Sequence, residues 1–548
     1  MFSALAKIIL LLLFFVLAHR QLPDVFNAYR PSGDWPTFIA VWLSTVVSAV
    51  AFAFVQRRGW RVLAATVLAY SAINATSYYL ITGTPLNTIE VERLWQDAAF
   101  IVETFEFYGG FILKAMLIGS LLIAAYLLPV GRFAIRSTWA LAIVVMLTLL
   151  PIFLVARTVY HDGGGDSDSF PVTTAPLGFV AVLLYDNATR ADPGPRQTVQ
   201  WTAQDSGIEN IVVIMDESVR ADYLDLIDPQ GITTHLVDHP ATVNFGIAAS
   251  HANCSAASNL SFRYAARRQS FLKDEAIRPS LWAFAKRAGY RAIYVDGQRT
   301  DEELQNFMNA AERAELDAFV QHDDKTVAKD KDILLVDKLA TVLSQTGKKY
   351  VFVNKNGVHF PYENKYPDAQ TIYTPKMQST QVRRNESDNY GGEFGSVEFR
   401  NSYRNAVAWN TGEFFKRLLP KIDFSKTLLI FTSDHGQNFT KVWEQGFLTH
   451  CTWGPAPAPE GTVPLAVLTQ IESWRTRLQA AQQQHRNQAS QWNVPSSLLL
   501  MMGYDAADVA QNYEPTLFDA ELGQQAFVST YFVRFGLQPV WNEVVKAE

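Results

Sequence analysis

Hydrophobic residues are concentrated in the first third of the chain, where five apolar runs are separated by short polar loops. Each run approaches the roughly 20 residues that a helix needs to cross a bilayer. A cleaved signal peptide is the alternative for the first run, but its length and the four runs behind it favour a membrane span. The pattern predicts a membrane domain of five helices over residues 1–160: roughly Phe2–Ala18, Pro36–Val55, Val62–Ile81, Gly109–Val130 and Trp139–Ala156.

Arginines in the short loops predict how these helices are oriented. Arg57, Arg58 and Arg61 lie between the second and third runs, and Arg132 and Arg136 lie between the fourth and fifth. The loop between the third and fourth runs is acidic. Because basic loops stay in the cytoplasm, the N-terminus is predicted to be cytoplasmic. In a bacterium this means a multi-pass protein of the inner membrane whose second half is periplasmic.

Beyond the last apolar run the pattern changes twice. Residues 161–205 are polar and are predicted to be a linker. Within them, the short apolar run Leu177–Tyr185 fits either an interfacial helix or a helix packed on the next domain. From 206 to 548, short β-rich runs alternate with amphipathic stretches, which predicts an α/β domain with a largely parallel sheet. The predicted strands are Ile211–Met215, Arg291–Val295, Tyr350–Asn354, Thr427–Thr432 and Val463–Thr469.

Residues able to bind metals or move protons follow four of these predicted strands. They are Asp216, Glu217, Asp296, His359, Asp434 and His435. Ligands bind beyond the carboxyl ends of the strands in open α/β sheets, so these side chains are expected to converge, joined by His450. An aspartate after a strand is often only a helix N-cap, which is the favoured interpretation of Asp216. Two carboxylates and a histidine suit zinc and leave one coordination position open.

The segment from Ser250 to Ser261 offers a nucleophile for the open position. It is small and polar and then enters a helical pattern, so a hydroxyl there could meet an anion at a helix N-terminus. Zinc lowers the pKa of a hydroxyl and makes the alkoxide available near neutral pH. Ser255, Ser258 and Ser261 all qualify by chemistry. A net charge of -6 argues against a nucleic-acid partner, and two cysteines exclude a cysteine-rich zinc module.

These motifs resemble those of the membrane phosphoethanolamine transferases of Gram-negative bacteria, in the alkaline phosphatase and sulfatase superfamily. The resemblance covers the whole layout, from the membrane helices to the outward-facing α/β domain. It rests on IVVIMDESVRADY (211–223), HANCSAASNLS (251–261), SLWAFAKRAGYRAIYVDGQ (280–298), GVHFPYENKYP (357–367), FTSDHGQN (431–438) and FLTHCTWGPAPAP (447–459).

The resemblance implies a role for each matching acidic residue and histidine. The family's metal ligands fall on Glu217, Asp434 and His435. The family's further histidines, which bind the transferred phosphate or a second zinc, fall on His359 and His450. The resemblance therefore gives these two histidines catalytic and substrate-binding roles.

The nucleophile and the cysteines depart from the family pattern. The family's nucleophile is usually a threonine four residues after a cysteine, and counting from Cys254 selects Ser258 as nucleophile and metal ligand. Arg263 and Tyr264 stand where the family has Pro-Cys, so the family's local disulfide cannot form. A disulfide between Cys254 and Cys451 is the alternative.

The resemblance implies transfer of phosphoethanolamine from phosphatidylethanolamine to lipid A, lipopolysaccharide core or another surface glycan. It also implies a covalent phosphoethanolamine-serine intermediate and one zinc ion, with two as the alternative. A phosphoglycerol transferase that uses phosphatidylglycerol is the nearest rival. A sulfatase-like hydrolase would need a Cys-x-Pro-x-Arg sequence at the nucleophile, and a binding protein on an inactive fold would have lost part of the ligand set.

Overall fold

In a computed structural model the chain divides into two compact units. The described residues up to 189 form the first unit, and those from 192 onward form the second. The polar start of the predicted linker, residues 162–169, lies outside the described residues. The structure describes residues 2–19, 35–82, 85–96, 101–161, 170–189, 192–377, 395–440, 449–452, 454–529 and 539–544.

The first unit is helical. Its helices are α1 (Phe2–Ala18), α2 (Trp35–Ala53), α3 (Arg58–Thr82), α4 (Thr88–Gln96), α5 (Ile101–Leu127), α6 (Thr138–His161) and α7 (Ala175–Thr189). Among the described residues, three segments are long and apolar enough to cross a membrane: Pro36–Ala53, Tyr108–Leu127 and Thr138–His161. Helix α1 has only 17 residues, and α3 carries tyrosine, serine, threonine and asparagine side chains that lower its hydropathy. The predicted count of five spans therefore stays unconfirmed.

Helix α7 contains the short apolar run of the predicted linker. It belongs to the first unit, where Phe179 and Val182 are buried together with Val155 and Val159 of α6. On another part of its surface Leu184 is exposed. The run is thus packed within the helical unit, and a position at the membrane interface stays a prediction.

A seven-stranded mixed sheet forms the centre of the second unit. Its strands are β1 (Asn210–Asp216), β2 (Thr242–Ala249), β3 (Arg291–Thr300), β4 (Ala318–His322), β5 (Lys349–Asn354), β6 (Thr427–Ser433) and β7 (Thr462–Leu468). Their order across the sheet is β2-β7-β6-β1-β5-β3-β4. The strands from β6 to β4 are parallel, whereas β7 is antiparallel to both of its neighbours. The predicted α/β class is confirmed, with a sheet that is mixed at one edge.

Helices cover both faces of this sheet and bury its central strands. In β1, Ile211, Val213 and Met215 join one hydrophobic cluster, whereas Val212 and Ile214 join the other. This alternation follows from the two-residue period of a strand, and burial on both faces explains the continuous apolar runs.

A small second sheet pairs β8 (Ala526–Val528) with β9 (Trp541–Glu543). The helices are α8 (Ser255–Arg263), α9 (Phe271–Ile277), α10 (Leu281–Arg287), α11 (Ala310–Arg313), α12 (Ala328–Ser344), α13 (Val397–Val407), α14 (Phe414–Leu418), α15 (Glu472–His485), α16 (Asn493–Met501) and α17 (Ala506–Asn512).

Candidate active site

The register between β1 and β6 brings two site segments together. Asp216, the last residue of β1, pairs with Ser433, the last residue of β6. The amide of Asp434 donates to the carbonyl of Asp216 at 2.9 Å, so Glu217 and Asp434 leave the sheet side by side. The amide of Ser218 donates to Asp434 Oδ1 at 3.0 Å and fixes that carboxylate.

A histidine completes a compact group of metal-ligating atoms. One ligand atom each from Glu217, Asp434 and His435 lies within 4.8 Å of the other two, and all three residues are buried. His435 Nε2 is 3.4 Å from Glu217 Oε1 and 3.7 Å from Asp434 Oδ2. His435 Nδ1 lies 2.7 Å from the carbonyl of Gly436. Because a carbonyl can only accept, Nδ1 carries a proton and Nε2 faces the carboxylates.

An unpaired oxygen indicates that this group fits a metal ion. Asp434 Oδ2 is buried and has no hydrogen-bond partner, and such an orphaned oxygen is costly in a protein interior. Zn–N and Zn–O bonds of about 2.0–2.1 Å in a tetrahedron place neighbouring ligand atoms about 3.3 Å apart. The distances of 3.4 and 3.7 Å from His435 Nε2 to the two carboxylates are close to that spacing. These residues could therefore hold a divalent cation.

Burial and the mutual charges of the three side chains shift the pKa of each. Burial alone would lower the pKa of His435, but the carboxylates of Asp434 and Glu217 outweigh it and raise that pKa to about 9. Burial raises the pKa of Asp434 well above its usual range, and the Glu217 carboxylate adds to the rise. Burial also acts to raise the pKa of Glu217, yet the hydrogen bond and charge of His435 hold it well below its ordinary value. A bound metal would take the place of the histidine's proton.

The structure brings Ser255, and not Ser258, to this group. Ser255 is the first residue of α8, and its Oγ lies 3.1 Å from both Glu217 Oε2 and His435 Nε2. Ser258 lies about one turn further along the helix, and its buried hydroxyl donates to Gln491 Oε1 at 3.2 Å. The family spacing selects Ser258, but the start of the helix decides which serine faces the ligand group.

Other candidate side chains have partners of their own. Ser261 donates to Glu275 Oε1 at 2.5 Å. Asp216 is not a helix N-cap, because the next helical turn is Ala221–Tyr223 with Arg220 as its cap. The Asp216 carboxylate instead pairs with the buried Lys355 at 2.5 Å. Asp296 is buried within β3 and accepts hydrogen bonds from backbone and side-chain amides.

Three imidazole rings lie together at the site. The ring of His450 stacks on that of His435, with centroids 4.3 Å apart and an angle of 16°. His359 meets His450 edge-on, with centroids 5.6 Å apart. Thr449 Oγ1 lies 2.9 Å from His450 Nδ1, and the carbonyl of Phe360 lies 2.7 Å from His359 Nδ1. The structure thus brings both sequence-predicted histidines to the metal-ligating group.

A disulfide joins the segments that carry Ser255 and His450. Cys254 directly precedes Ser255, Cys451 directly follows His450, and the two cysteines are bonded with their Cα atoms 4.9 Å apart. The amide of Cys451 also donates to the carbonyl of Asn253 at 2.9 Å. The cross-link therefore connects two parts of the site that are 197 positions apart in the sequence.

Two glutamines contribute to the site without a motif of their own. Gln298 Nε2 donates to Glu217 Oε2 at 3.1 Å and to the carbonyl of Lys355 at 2.8 Å. Gln298 lies two residues beyond Asp296 at the end of a predicted strand, and that position is a signal that could identify it. Gln491 Oε1 accepts a hydrogen bond from the hydroxyl of Ser258. No local pattern in the sequence identifies Gln491 as a site residue.

Comparison with known proteins gives the class to which this fold and this site belong. Residues 209–504, more than half of the 548-residue chain, match the sulfatase family. The chain belongs to this family.

Individual similar proteins indicate a more specific group than the sulfatase family as a whole. The chain is 24% identical over 493 residues to the Kdo(2)-lipid A phosphoethanolamine 7''-transferase of Escherichia coli (strain K12), which covers 80% of this chain and 83% of that protein. The integral membrane protein lipooligosaccharide phosphoethanolamine transferase A of Neisseria meningitidis matches with a TM-score of 0.65 and 18% identity, over 93% of this chain and 97% of that chain. The zinc complex of the C-terminal periplasmic domain of EcEptC from Escherichia coli matches with a TM-score of 0.50 and 16% identity, over 64% of this chain and 96% of that chain. The resemblance to the phosphoethanolamine transferases is confirmed.

Proposed function

We propose that this chain transfers phosphoethanolamine from phosphatidylethanolamine to lipid A or another cell-envelope glycan, through a covalent intermediate on Ser255. The observation that carries the proposal is the position of the Ser255 hydroxyl, 3.1 Å from both a carboxylate and an imidazole of the metal-ligating group. The names of the similar proteins support the transferred group and the lipid A acceptor. Ser255 replaces Ser258 as the proposed nucleophile.

Zinc is the proposed metal, held by Glu217, Asp434, His435 and the Oγ of Ser255. Two carboxylates, an imidazole and a hydroxyl are a donor set that zinc accepts, and a similar periplasmic domain has been solved as a zinc complex. One ion is proposed, with a second beside the other histidines as the alternative. When bound, zinc lowers the pKa of the serine hydroxyl and offsets the negative charge of the phosphate.

The chain's own groups account for the steps of a double displacement. Ser255 Oγ gives up its proton to solvent and forms a bond to phosphorus, while the bond from phosphorus to the glyceryl oxygen of the lipid breaks. His359 or His450 gives a proton to that oxygen, and diacylglycerol leaves. The first amides of α8 have no intrahelical partner, and their partial positive charge favours the bound phosphate. The histidine that gave its proton then takes one from the acceptor hydroxyl, whose oxygen forms a bond to phosphorus. The bond from phosphorus to Ser255 Oγ breaks, and that oxygen regains a proton from solvent.

The proposed location is the bacterial inner membrane, with the N-terminus in the cytoplasm and the catalytic domain in the periplasm. The arginines of the short loops support this orientation. The apolar helices of the first unit support membrane insertion. The disulfide between Cys254 and Cys451 fits an oxidising compartment.

Mass spectrometry of the full-length protein in detergent tests the nucleophile and the donor together. The zinc-loaded protein is incubated with phosphatidylethanolamine, and the mass of the intact chain and of its tryptic peptides is measured. Ser255 and Ser258 lie on one tryptic peptide, residues 221–263, so variants are needed to separate them. We expect a phosphoethanolamine adduct in wild-type and Ser258→Ala protein and none in Ser255→Ala.

Each contrary result has a defined meaning. An adduct that disappears in Ser258→Ala and persists in Ser255→Ala would restore Ser258 as nucleophile. An adduct formed only from phosphatidylglycerol would identify a phosphoglycerol transferase. No adduct from either lipid in zinc-loaded protein would reject the covalent mechanism. Removal of zinc by a chelator should abolish the adduct, and added zinc should restore it.

A further inference from the structure

The proposed chemistry requires that two distant segments stay at a fixed spacing. Ser255 begins α8, whereas His435 follows β6, and the two side chains meet at 3.1 Å. We infer that Gln491 is a positioning residue that sets this spacing. The inference rests on the proposed function, because it assigns to Gln491 the alignment of the same nucleophile with the same ligand group.

The side chain of Gln491 bridges the two segments from a fully buried position. Its Oε1 accepts from the backbone amide of His251 at 3.0 Å and from the hydroxyl of Ser258 at 3.2 Å. Its Nε2 donates to the carbonyl of Ser433 at 2.5 Å and to the hydroxyl of Thr432 at 2.9 Å. One amide group thereby connects the helix of the nucleophile to the end of β6.

Each end of this bridge lies next to a residue of the proposed chemistry. Ser258 lies about one turn after Ser255 on α8, and Ser433 directly precedes Asp434. The amide can adopt only one orientation, because a backbone carbonyl only accepts and a backbone N–H only donates. The bridge is therefore specific for a neutral amide of the length of Gln491.

Other contacts anchor α8 to different parts of the unit. The disulfide of Cys254 connects the start of the helix to the segment of His450. At the end of the helix, Arg263 Nε forms a buried ion pair with Glu312 Oε1 at 2.6 Å. Neither contact leads to β6, whereas the side chain of Gln491 does.

The expected effect follows from the sensitivity of reactions to alignment. A displacement of about 1 Å between reacting groups can lower a rate by about 100-fold. Without the Gln491 amide, the Ser433 carbonyl and the His251 amide lose their shared partner, so the direct link between α8 and the end of β6 is lost and their spacing can change. We therefore expect the rate constant of serine modification to fall, while the affinity for lipid stays nearly the same.

The test measures the single-turnover rate constant and the amplitude of adduct formation in zinc-loaded, full-length protein, over a range of phosphatidylethanolamine concentrations that reaches saturation. Gln491→Met keeps the length of the side chain and removes both polar atoms. Gln525→Met is the matched control, because Gln525 Nε2 also joins two backbone carbonyls, those of Ile247 and Ala489, at 3.0 and 3.1 Å. We expect a rate constant about 10- to 100-fold lower in Gln491→Met and within about twofold of wild type in Gln525→Met.

A second variant covers the case in which Gln491→Met folds poorly. Gln491→Asn keeps the amide but shortens its reach by one methylene, so one side of the bridge is lost with less disturbance of the interior. Its rate constant should also fall, with Gln525→Asn as the control. A purely structural role would instead lower the amplitude, which counts active molecules, and leave the rate constant unchanged.

Equal rate constants in the Gln491 and Gln525 variants would overturn the inference and leave the proposed function intact. Wild-type protein that forms no adduct would overturn the proposed function, and the inference with it. A rise in the lipid concentration needed for half-saturation, without a change in the rate constant, would assign Gln491 to lipid binding and also overturn the positioning role.

Discussion

Replacing Lys355 by methionine removes the cation from a buried ion pair at the ends of β1 and β5. Lys355 Nζ lies 2.5 Å from Asp216 Oδ2, and both side chains are fully buried. The Asp216 carboxylate also accepts from the hydroxyl of Thr411 at 2.9 Å and from the amide of Glu217 at 3.0 Å. In Lys355→Met these hydrogen bonds remain, but the carboxylate loses its counter-charge.

Removal of one partner from a buried ion pair costs about 3–5 kcal/mol. Burial already raises the pKa of Asp216 to about 6 against the opposing charge of Lys355, so loss of the lysine should raise that pKa further. In a domain of this size, 1 kcal/mol shifts the Tm by about 2 °C. We therefore expect Lys355→Met to lower the Tm of the second unit by about 6–10 °C near neutral pH, and by less in acid, where Asp216 is protonated.

Thermal unfolding of full-length protein in detergent, followed by tryptophan fluorescence, measures this change. Lys349→Met is the matched control, because Lys349 is also fully buried on β5 but reaches the carbonyl of Gly347 at 2.6 Å. The double variant Asp216→Asn/Lys355→Met should recover part of the loss, because it removes one of the two buried carboxylates that pair with Lys355. The other, Asp332, has its Oδ2 3.6 Å from Lys355 Nζ and keeps its charge. A Tm for Lys355→Met as high as that of Lys349→Met would refute the reasoning.

Three further predictions concern the surroundings of the site. Replacing Cys254 and Cys451 by alanine removes a cross-link between positions 197 apart, so thermal unfolding should show a loss of up to about 5 kcal/mol. Gly357→Ala adds a Cβ 2.5 Å from the carbonyl of Glu217 at a φ of +52°, and the rate constant of adduct formation should fall about tenfold or more. Burial raises the pKa of Glu275 to about 8 from its ordinary value of 4.5, so its ionisation destabilises the fold as pH rises between these values. Glu275→Gln should match the wild-type Tm at low pH and exceed it increasingly toward pH 8. A Tm difference that stays constant with pH would contradict the raised pKa of Glu275.

The strands of the sheet could be predicted where burial on both faces of the sheet requires a continuous run of apolar residues. Strands β1, β5, β6 and β7 are buried along their whole length, and all four were predicted. Strand β2 was not, because Gly246 and a register shift between Asn244 and Gly246 interrupt its pattern. Strand β4 has five mostly half-buried residues at the edge of the sheet, so its pattern is short and weak.

The site was predictable where a residue follows a strand, because parallel strands end at one edge. Glu217, Asp434 and His435 form one ligand group for this reason. The serine was harder to choose, because the choice depends on where α8 begins. The residue before α8, Cys254, has extended backbone and makes no side-chain capping hydrogen bond, so no capping residue in the sequence marks that boundary. The part played by Gln491 depends on amide contacts with residues at least 58 positions away, which no local pattern encodes.

The cross-link gives the proposed nucleophile a different anchor from the one that the family resemblance implies. Where a local disulfide would hold the helix to itself, Arg263 forms a buried ion pair with Glu312 at the end of α8. In this chain the covalent link is instead at the start of the helix, where Cys254 connects the segment of Ser255 to that of His450. The disulfide therefore joins the residue before the proposed nucleophile to the residue after a histidine proposed to bind the phosphate. Because the ion pair and the Gln491 bridge hold α8 at other points, reduction of the disulfide should loosen His450 more than Ser255 and weaken phosphate binding before it disturbs the metal group.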